Sequence, residues 1–232
     1  MPGTPDELAA QKRSLRRLLV ERREVWLSQT SEDERAAYVA SIWSQVESSE
    51  AFRSARTILL YASLPDEVPT EDILKRWSHP TVPDSASPVI PDSASRVLPD
   101  SASLAVPDSA SPVMPDSIGH PWVAKTLVLP LVEGECLRLK AYRPDAVQPG
   151  YQGILEPLPS CPDVAPESID LAIVPGRAFT ADGWRMGRGK GFYDRLLPTL
   201  VRARKIGVAY PYQLVEQLPL APWDIRLDAV YF

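Results

Sequence analysis

A proline-led repeat in the middle of the sequence most constrains how this chain folds. Its unit, Pro-Asp-Ser, recurs every eight residues and opens at Pro83, Pro91, Pro99, Pro107 and Pro115. Proline removes a backbone donor and clashes with the preceding turn, so this spacing allows no helix longer than about two turns. The apolar residues between the prolines are too few to bury a core. We predict a disordered, partly polyproline-like insertion over residues 80–121, with an ordered repeat or binding element as the alternative.

Outside the insertion, helix-like and strand-like segments alternate along the sequence. Amphipathic or capped stretches predict helices at residues 5–28, 31–49, 70–77 and 191–203. Apolar runs of strand length occupy residues 57–64, 126–132, 137–142, 171–175, 206–210 and 229–232. Such alternation is typical of an α/β fold. We therefore predict that residues 1–232 form a single α/β domain, with a mostly parallel sheet flanked by helices and the low-complexity repeat as an insertion.

Composition argues against several classes of protein. The net charge is −5, whereas a general nucleic-acid binder is usually basic, and the cations here are local, at residues 12–23 and 185–190. The two cysteines, Cys136 and Cys161, lack the spacing of a disulfide framework or a zinc site. The sequence has no apolar run long enough for a membrane span and no secretory signal. We expect a cytoplasmic protein that binds a small anion, with no obligate protein partner.

The densest chemical signal is the segment R-M-G-R-G-K-G-F-Y-D, from Arg185 to Asp194. Its glycines allow backbone N–H groups to approach a ligand and to form a concavity that binds anions. The interleaved cations add donors for phosphate oxygens, and a helix starting near Gly191 would point its positive end at the same place. The segment therefore predicts a polyphosphate cradle with a magnesium carboxylate at its edge.

The cradle matches neither of two familiar phosphate motifs. A P-loop requires a different glycine spacing and a hydroxyl residue where Gly191 stands, and the dinucleotide fingerprint requires glycine where Phe192 stands. A glycine-rich turn with solvated cations remains the plainer interpretation. The first helix offers a second cationic group, because Lys12 and Arg16 are four residues apart and project from one face. Taken alone, that pair is also consistent with a solvated basic face.

Five segments together resemble one known family. The run G-R-G-K-G-F-Y-D-R at 187–195, preceded by V-P-G-R-A-F, resembles the signature of the 5-formyltetrahydrofolate cyclo-ligase (methenyltetrahydrofolate synthetase) family. The others resemble that family in the same order: K-R-S-L-R at 12–16, S-L-P-D-E-V at 63–68, G-I-L-E-P at 153–157, and P-W-D-I-R-L-D at 222–228. The resemblance covers most of residues 8–77 and 122–232. The family has no counterpart of the repeat.

The resemblance implies a reaction. It is the ATP-dependent closure of 5-formyltetrahydrofolate to 5,10-methenyltetrahydrofolate, with ADP and phosphate released. Phosphorylation of the formyl oxygen would activate a poor leaving group, after which the neighbouring N10 attacks the formyl carbon. Such chemistry needs positioning and charge neutralisation rather than a nucleophilic side chain. The implied cofactors are ATP and Mg²⁺, and the implied substrate is a reduced folate.

The resemblance also implies residue roles. Arg188 and Lys190 are the implied catalytic residues. The implied nucleotide site comprises Lys12, Arg13, Ser14, Leu15, Arg16, Arg185, Met186, Gly187, Arg188, Gly189, Lys190, Gly191, Phe192 and Tyr193. The implied substrate contacts are Ala62, Glu67, Arg188 and Phe192. Asp194 and Asp224 are the implied magnesium ligands, since hard oxygen ligands suit that ion.

Other interpretations of these residues stay open. Asp194 could pair with Arg195, Asp224 could pair with Arg226, and Glu67 could be a solvated loop acid. At the level of the whole protein, one alternative is a catalytically silent relative that binds nucleotide or RNA. A second is an unrelated small-molecule kinase or phosphate-binding protein. The chain also departs from the family pattern, with Arg177 where smaller or more apolar residues are common.

Overall fold

The computed structural model describes residues 4–78, 114–115, 121–122 and 125–232. Its helices are α1 (Pro5–Gln29), α2 (Glu32–Ser48), α3 (Glu50–Ser54), α4 (Glu71–Ser78) and α5 (Phe192–Leu196). Its strands are β1 (Thr57–Leu59), β2 (Met114–Pro115), β3 (Pro121–Trp122), β4 (Thr126–Glu133), β5 (Cys136–Ala141), β6 (Val147–Pro149), β7 (Leu155–Pro157), β8 (Leu171–Val174), β9 (Ala178–Phe179), β10 (Arg185–Met186), β11 (Arg204–Val208) and β12 (Ala229–Tyr231).

The chain divides into two compact units. The first combines Met1–Ser78 with Lys125–Phe232, and the second is His79–Ala124. Of the second unit, the described part is the antiparallel pair of β2 and β3. The insertion predicted at 80–121 otherwise lies outside the described residues, so its disorder stays a prediction.

A six-stranded sheet organises the first unit. The strand order is β12-β11-β8-β1-β4-β5. Neighbouring strands run parallel from β12 to β4, and only the hairpin partners β4 and β5 are antiparallel. The predicted α/β class with a mostly parallel sheet is therefore confirmed. The strand order switches between β1 and β8, because the chain continues from β1 to β4 on one side and from β8 to β11 on the other. The loops that follow the carboxyl ends of β1 and β8 therefore separate and can form a site.

Alternation along the strands divides the core between the two faces of the sheet. Ile58 packs with one cluster and its neighbour Leu59 with the other, and Leu127 and Val128 separate in the same way. Successive strand side chains point to opposite faces, which explains this division. Helices α2, α3 and α4 cover the first face, whereas α5 and the segment around Phe179 cover the second. Both faces are thus buried, as parallel sheets require.

Local signals fix several element boundaries. The predicted capping box at Ser31 and Glu34 is present at the start of α2, since each residue bonds the backbone N–H of the other. The helix predicted at 191–203 is wrong in length, because α5 ends at Leu196 and a 3₁₀ turn follows over Leu197–Thr199. Pro198 lies in that turn and lacks the N–H that a longer helix needs.

Two further observations bear on the site. Strand β1 ends at Leu59 rather than at residue 64, and the chain continues as an irregular segment through Glu67. Helix α1 packs through Leu19 against Ala178 and Met186, which brings it alongside strands β9 and β10. Among the described residues, no helix combines the length and apolar character needed to cross a bilayer.

Candidate active site

A cavity of about 340 Å³ lies where β1 and β8 end. Its walls come from five parts of the chain, and the residues that line it are Tyr61, Ala62, Leu64, Glu67, Pro130, Val132, Leu137, Tyr151, Gln152, Ile154, Leu155, Glu156, Pro175, Gly176, Arg185, Gly187, Arg188, Gly189, Lys190, Gly191, Phe192, Tyr193 and Asp194. Ligands of open α/β sheets bind at this edge, beyond the carboxyl ends of the strands. The cavity therefore holds the position that the fold favours for a ligand.

One wall of the cavity is the backbone of residues 187–191, which we call the glycine loop. Gly189 has a φ of +99° and Gly191 a φ of +70°, conformations that L side chains rarely adopt. A Cβ on Gly191 would stand 2.8 Å from Nη1 of Arg195, so a larger residue would also clash there. The helix that follows is only five residues long, so the predicted contribution of a helix dipole is smaller than the sequence suggested.

Arg185 is the most deeply buried cation of the site. Its Nη2 donates to Oδ1 of Asp194 at 2.5 Å, and its Nη1 donates to the carbonyl of Pro175 at 3.0 Å. Burial lowers the pKa of Arg185, and the charge of Asp194 opposes that shift. The guanidinium thus ties strand β10 both to α5 and to the end of β8. Asp194 pairs with Arg185 rather than with Arg195, the partner considered from the sequence.

Arg188 and Glu67 meet across the cavity. The Nε of Arg188 donates to Oε1 of Glu67 at 3.1 Å, and Nη2 of the same guanidinium contacts Asp66. Glu67 is not a solvated loop acid, because its side chain is only 7% exposed and its Oε2 accepts the N–H of Leu64 at 3.0 Å. The structure therefore brings together two of the residues that the resemblance implied as substrate contacts. Lys190 is exposed in the same loop.

Helix α1 presents its predicted cation pair to the same region. Arg16 donates from Nε to the carbonyl of Gly187 at 3.2 Å, and Lys12 contacts Oδ2 of Asp224 at 2.7 Å. Burial lowers the pKa of Arg16, and the charge of Asp194 counteracts this effect. The remaining members of the predicted group face elsewhere. Arg13 and Ser14 are exposed, whereas Leu15 packs in the small cluster of Leu19 and Met186.

The two predicted magnesium ligands have different partners, since Asp194 pairs with Arg185 and Asp224 with Lys12. Asp194 lines the cavity, and its side chain is 32% exposed. Asp224 is not among the lining residues, since its Oδ2 binds Lys12 and accepts the N–H of Ala221 at 2.7 Å. Both carboxylates act on the buried Arg185, because both raise its pKa. Within the described residues, no three acidic, histidine or cysteine side chains cluster as a metal site.

Two aromatic side chains complete the polar wall. Phe192 meets the ring of Tyr151 edge to face, with 5.8 Å between centroids. Tyr193 is buried, and its hydroxyl oxygen has no hydrogen-bond partner among the described residues. Burial raises the pKa of Tyr193, and the nearby charge of Glu67 acts in the same direction. The hydroxyl therefore stays protonated and keeps a donor that no described residue accepts.

Most residues of the opposite wall were not predicted from the sequence as site residues. It is apolar and comes from the β4–β5 hairpin and the turn before β7, with Val132, Leu137, Tyr151, Ile154 and Leu155 as its main residues. One signal was available, because G-I-L-E-P at 153–157 was already part of the family resemblance. No sequence signal marks Gln152, which has a φ of +56° and lines the cavity.

Comparison with known proteins supports the resemblance read from the sequence. Residues 122–232 match the model of the 5-formyltetrahydrofolate cyclo-ligase family. A 5-formyltetrahydrofolate cyclo-ligase of Escherichia coli is 45% identical over 80 residues, which are 33% of this chain and 44% of that protein. Another, from Mycolicibacterium smegmatis, is 34% identical over 111 residues, 46% of this chain and 53% of that protein. The chain spans about half the length, or less, of these curated relatives.

Two solved structures resemble this chain over most of its length. An NMR structure of the 5,10-methenyltetrahydrofolate synthetase of Aquifex aeolicus has a TM-score of 0.65 at 28% identity, covering 95% of this chain and 88% of that one. The 5,10-methenyltetrahydrofolate synthetase of Mycoplasma pneumoniae has a TM-score of 0.58 at 21% identity, covering 95% and 98% of the two chains. Because the identity is only 21%, the second likeness is evidence for the fold alone.

Proposed function

We propose that this chain, whose residues 122–232 match the model of the 5-formyltetrahydrofolate cyclo-ligase family, converts 5-formyltetrahydrofolate to 5,10-methenyltetrahydrofolate with ATP and Mg²⁺. One observation carries the proposal. A single cavity combines Ala62 and Glu67, which lie outside the matched segment, with the glycine loop inside it. Its volume of about 340 Å³ is in the range of small-molecule sites.

The proposed reaction balances as follows. The formyl oxygen attacks the γ-phosphorus of ATP, and ADP leaves. N10 of the folate then attacks the formyl carbon and loses its proton to solvent, while the carbon–oxygen bond breaks and phosphate leaves with that oxygen. Because a formamide oxygen is a poor leaving group, the phosphoryl group is what makes ring closure possible. The protein has to align the reactants and neutralise negative charge.

The nucleotide's phosphates fit the glycine loop and the cations around it. Gly189 and Gly191 have positive φ angles, and turns with such residues commonly present N–H groups to anions. Lys190 is exposed in the loop, and a Cβ on Gly189 would stand 3.4 Å from Nη2 of Arg16. We assign charge neutralisation during phosphoryl transfer to Lys190 and Arg188, and phosphate binding to the loop with Lys12 and Arg16.

We assign Mg²⁺ to Asp194, which lines the cavity, and to Asp224, whose Oδ2 would exchange Lys12 for the ion. Magnesium is commonly held by one or two carboxylates together with substrate phosphates, so two protein carboxylates would be sufficient. When bound, the ion would neutralise charge on the phosphates. Arg185 and Lys12 already partner the two carboxylates and hold them in place.

The folate fits the remaining part of the cavity. Its pterin is flat and largely apolar on its faces, which suits the wall formed by Leu137, Ile154 and the rings of Tyr151 and Phe192. Glu67 offers a buried carboxylate to polar groups on the pterin edge. Such a site holds the reacting formyl group next to the glycine loop, because Glu67 and Arg188 contact each other.

The proposal is tested by mixing the purified protein with 5-formyltetrahydrofolate and Mg-ATP and following the near-ultraviolet absorbance of the methenyl product. We expect the absorbance to rise only when both substrates are present, with one phosphate released for each product formed. No rise with folded protein would contradict the proposal. Calorimetric binding of ATP without turnover would instead identify a catalytically silent relative, and turnover of ATP on a different acceptor would identify an unrelated kinase.

A further inference from the structure

Asp66 joins two arginines beside the cavity. Its Oδ1 pairs with Nη2 of Arg188, and its Oδ2 pairs with Nη1 of Arg177. Arg188 lines the cavity, whereas Asp66 and Arg177 do not. The side chains of Asp66 and Arg177 are each only 18% exposed, so the shared contact is mostly screened from water. Asp66 thus supports, from behind, a guanidinium that faces the ligand space.

Two adjacent carboxylates fix the plane of that guanidinium. Nε of Arg188 donates to Glu67 at 3.1 Å, and Nη2 contacts Asp66. Nη1 of Arg188 makes no hydrogen bond to the part of the chain that the structure describes. Because a guanidinium is planar and its donors form a rigid fork, holding two of its nitrogens also directs the third. The free amino group is the one available for a phosphate or formyl oxygen.

The position of the Arg188 guanidinium depends on the charge of Asp66. Burial lowers the pKa of Arg177, and the positive charges of Arg188, Arg16 and Arg23 lower it further. Two guanidiniums in a poorly solvated place repel each other unless an anion lies between them. Asp66 is that anion for Arg177 and Arg188, so its loss would push the two arginines apart and move Arg188 from its place.

The backbone around Asp66 is held by other contacts. Arg23 donates from Nη2 to the carbonyl of Pro65 at 3.2 Å, and the hydroxyl of Tyr212 donates to the carbonyl of Asp66 at 2.9 Å. Within the same turn, the N–H of Glu67 donates to the carbonyl of Leu64 at 3.0 Å. Removing the charge of Asp66 therefore leaves the turn in place, and its effect on Arg188 can be separated from a folding defect.

We propose that Asp66 is a positioning residue that aims Arg188 into the cavity, and that Arg177 makes this aim depend on the charge of Asp66. The proposal deepens the function proposed above, on which its kinetic readout rests. It distinguishes Asp66 from Glu67. Glu67 lines the cavity and also contacts Arg188. Asp66, in contrast, acts only through Arg188 and touches no substrate.

The kinetic test compares Asp66→Asn, Arg177→Met and the double variant. Displacing a reacting group by about 1 Å can lower turnover about 100-fold, and we expect Asp66→Asn to lower kcat between about tenfold and 100-fold. Arg177→Met alone should change kcat less than about threefold, because Asp66 still holds Arg188. The double variant should regain at least about fivefold over Asp66→Asn, because the unpaired cation that displaces Arg188 is gone.

A matched control is available elsewhere in the molecule. Asp163 is likewise shared between two cations, with Lys140 Nζ at 3.0 Å and Arg138 at 3.3 Å, but it does not line the cavity. Asp163→Asn should leave kcat and KM at the wild-type values. Losses that simply add when Asp66→Asn and Arg177→Met are combined would overturn the proposal.

A second readout works without turnover. The Nε–Hε signal of Arg188 in a nitrogen-15 NMR spectrum is assigned by its absence from Arg188→Lys. We expect a sharp, slowly exchanging signal in the wild type, a broadened or shifted one in Asp66→Asn, and a sharp one again in the double variant. An unchanged signal in Asp66→Asn would overturn the positioning role. If the protein proves inactive while the signals behave as expected, the proposed function fails and the positioning role stands.

Discussion

The two ends of the parallel sheet use their charged residues differently. At the amino end, charges bind the backbone, since Asp170 accepts the N–H groups that open β1 and Lys125 donates to two carbonyls at the end of α3. At the carboxyl end, charges also bind one another around a cavity, as Asp66, Glu67 and Arg188 do, in addition to the backbone contacts of Glu67 and Arg16. One end therefore closes the fold, and the other end holds charged groups ready for a ligand.

This difference separates residues that serve stability from residues that serve function. A charge that contacts only the backbone is fully used in the folded protein. A charge held by another charge can exchange that partner for a ligand without exposing a buried group. We therefore expect substitutions at the amino end to change unfolding, and substitutions at the carboxyl end to change turnover.

The largest effect is expected at Lys190. Lys190→Ala should lower turnover about 100- to 1000-fold, because removing one charged donor to a transferring group typically costs that much. Its side chain is exposed, so the unfolding temperature should stay at the wild-type value. Lys75→Ala removes an exposed lysine from α4 as the control. A Lys190→Ala enzyme with nearly normal turnover would remove Lys190 from the mechanism.

The opposite pattern is expected at Asp170. Its Oδ2 accepts the N–H groups of Arg56 and Thr57, both at 2.9 Å. Asp170→Ala should lower the free energy of unfolding by about 3 kcal/mol, since it removes two hydrogen bonds to a charged group. The melting temperature should fall by about 6 to 12 °C in a unit of this size. Turnover per folded molecule at low temperature should be unchanged, and a loss of turnover without a loss of stability would break the comparison.

A smaller effect on substrate binding is expected from the apolar wall. Tyr151→Ala removes the ring that meets Phe192 and should raise the KM for the folate about tenfold with little change in kcat, because it weakens ground and transition states alike. Tyr151→Phe keeps the ring and should behave as the wild type. An unchanged folate KM in Tyr151→Ala, measured at saturating Mg-ATP, would place the pterin elsewhere.

The smallest effect concerns Lys125. Burial lowers its pKa to about 8, below its ordinary value of 10.5. The unfolded chain thus binds more protons than the folded one between these two values, and stability rises with pH across this window. Because the amine is partly solvated, we expect the wild type to gain only about 1 to 2 °C over Lys125→Met between about pH 7.5 and pH 9.5. Melting curves of both proteins with identical pH slopes would contradict this role.

Sequence patterns were sufficient for the fold class because the strands carry a strong local signal. Apolar runs such as 126–132 and 171–175 identify buried strands, and their alternation with helices leaves few arrangements. The extent of α5 was mispredicted because a single proline and long-range packing decide where that helix ends. The order of strands depends on contacts between segments far apart in sequence, which no local pattern contains.

The candidate site was predicted unevenly for a similar reason. Glycines and cations at 185–194 form one continuous motif, so their proximity follows from the sequence itself. The pairing of Lys12 with Asp224 joins residues at the two ends of the chain, and neither flanking sequence encodes it. The apolar wall was missed because residues such as Leu137 and Ile154 resemble ordinary core residues until the fold leaves them facing a cavity.

The central claim is that the formyl oxygen of the folate receives the γ-phosphoryl group of ATP before the ring closes. It is tested most directly by supplying 5-formyltetrahydrofolate whose formyl oxygen is isotopically heavy and analysing the phosphate by mass spectrometry. We predict one heavy oxygen in every phosphate released with methenyl product. Product formed together with phosphate that carries only ordinary oxygen would contradict it.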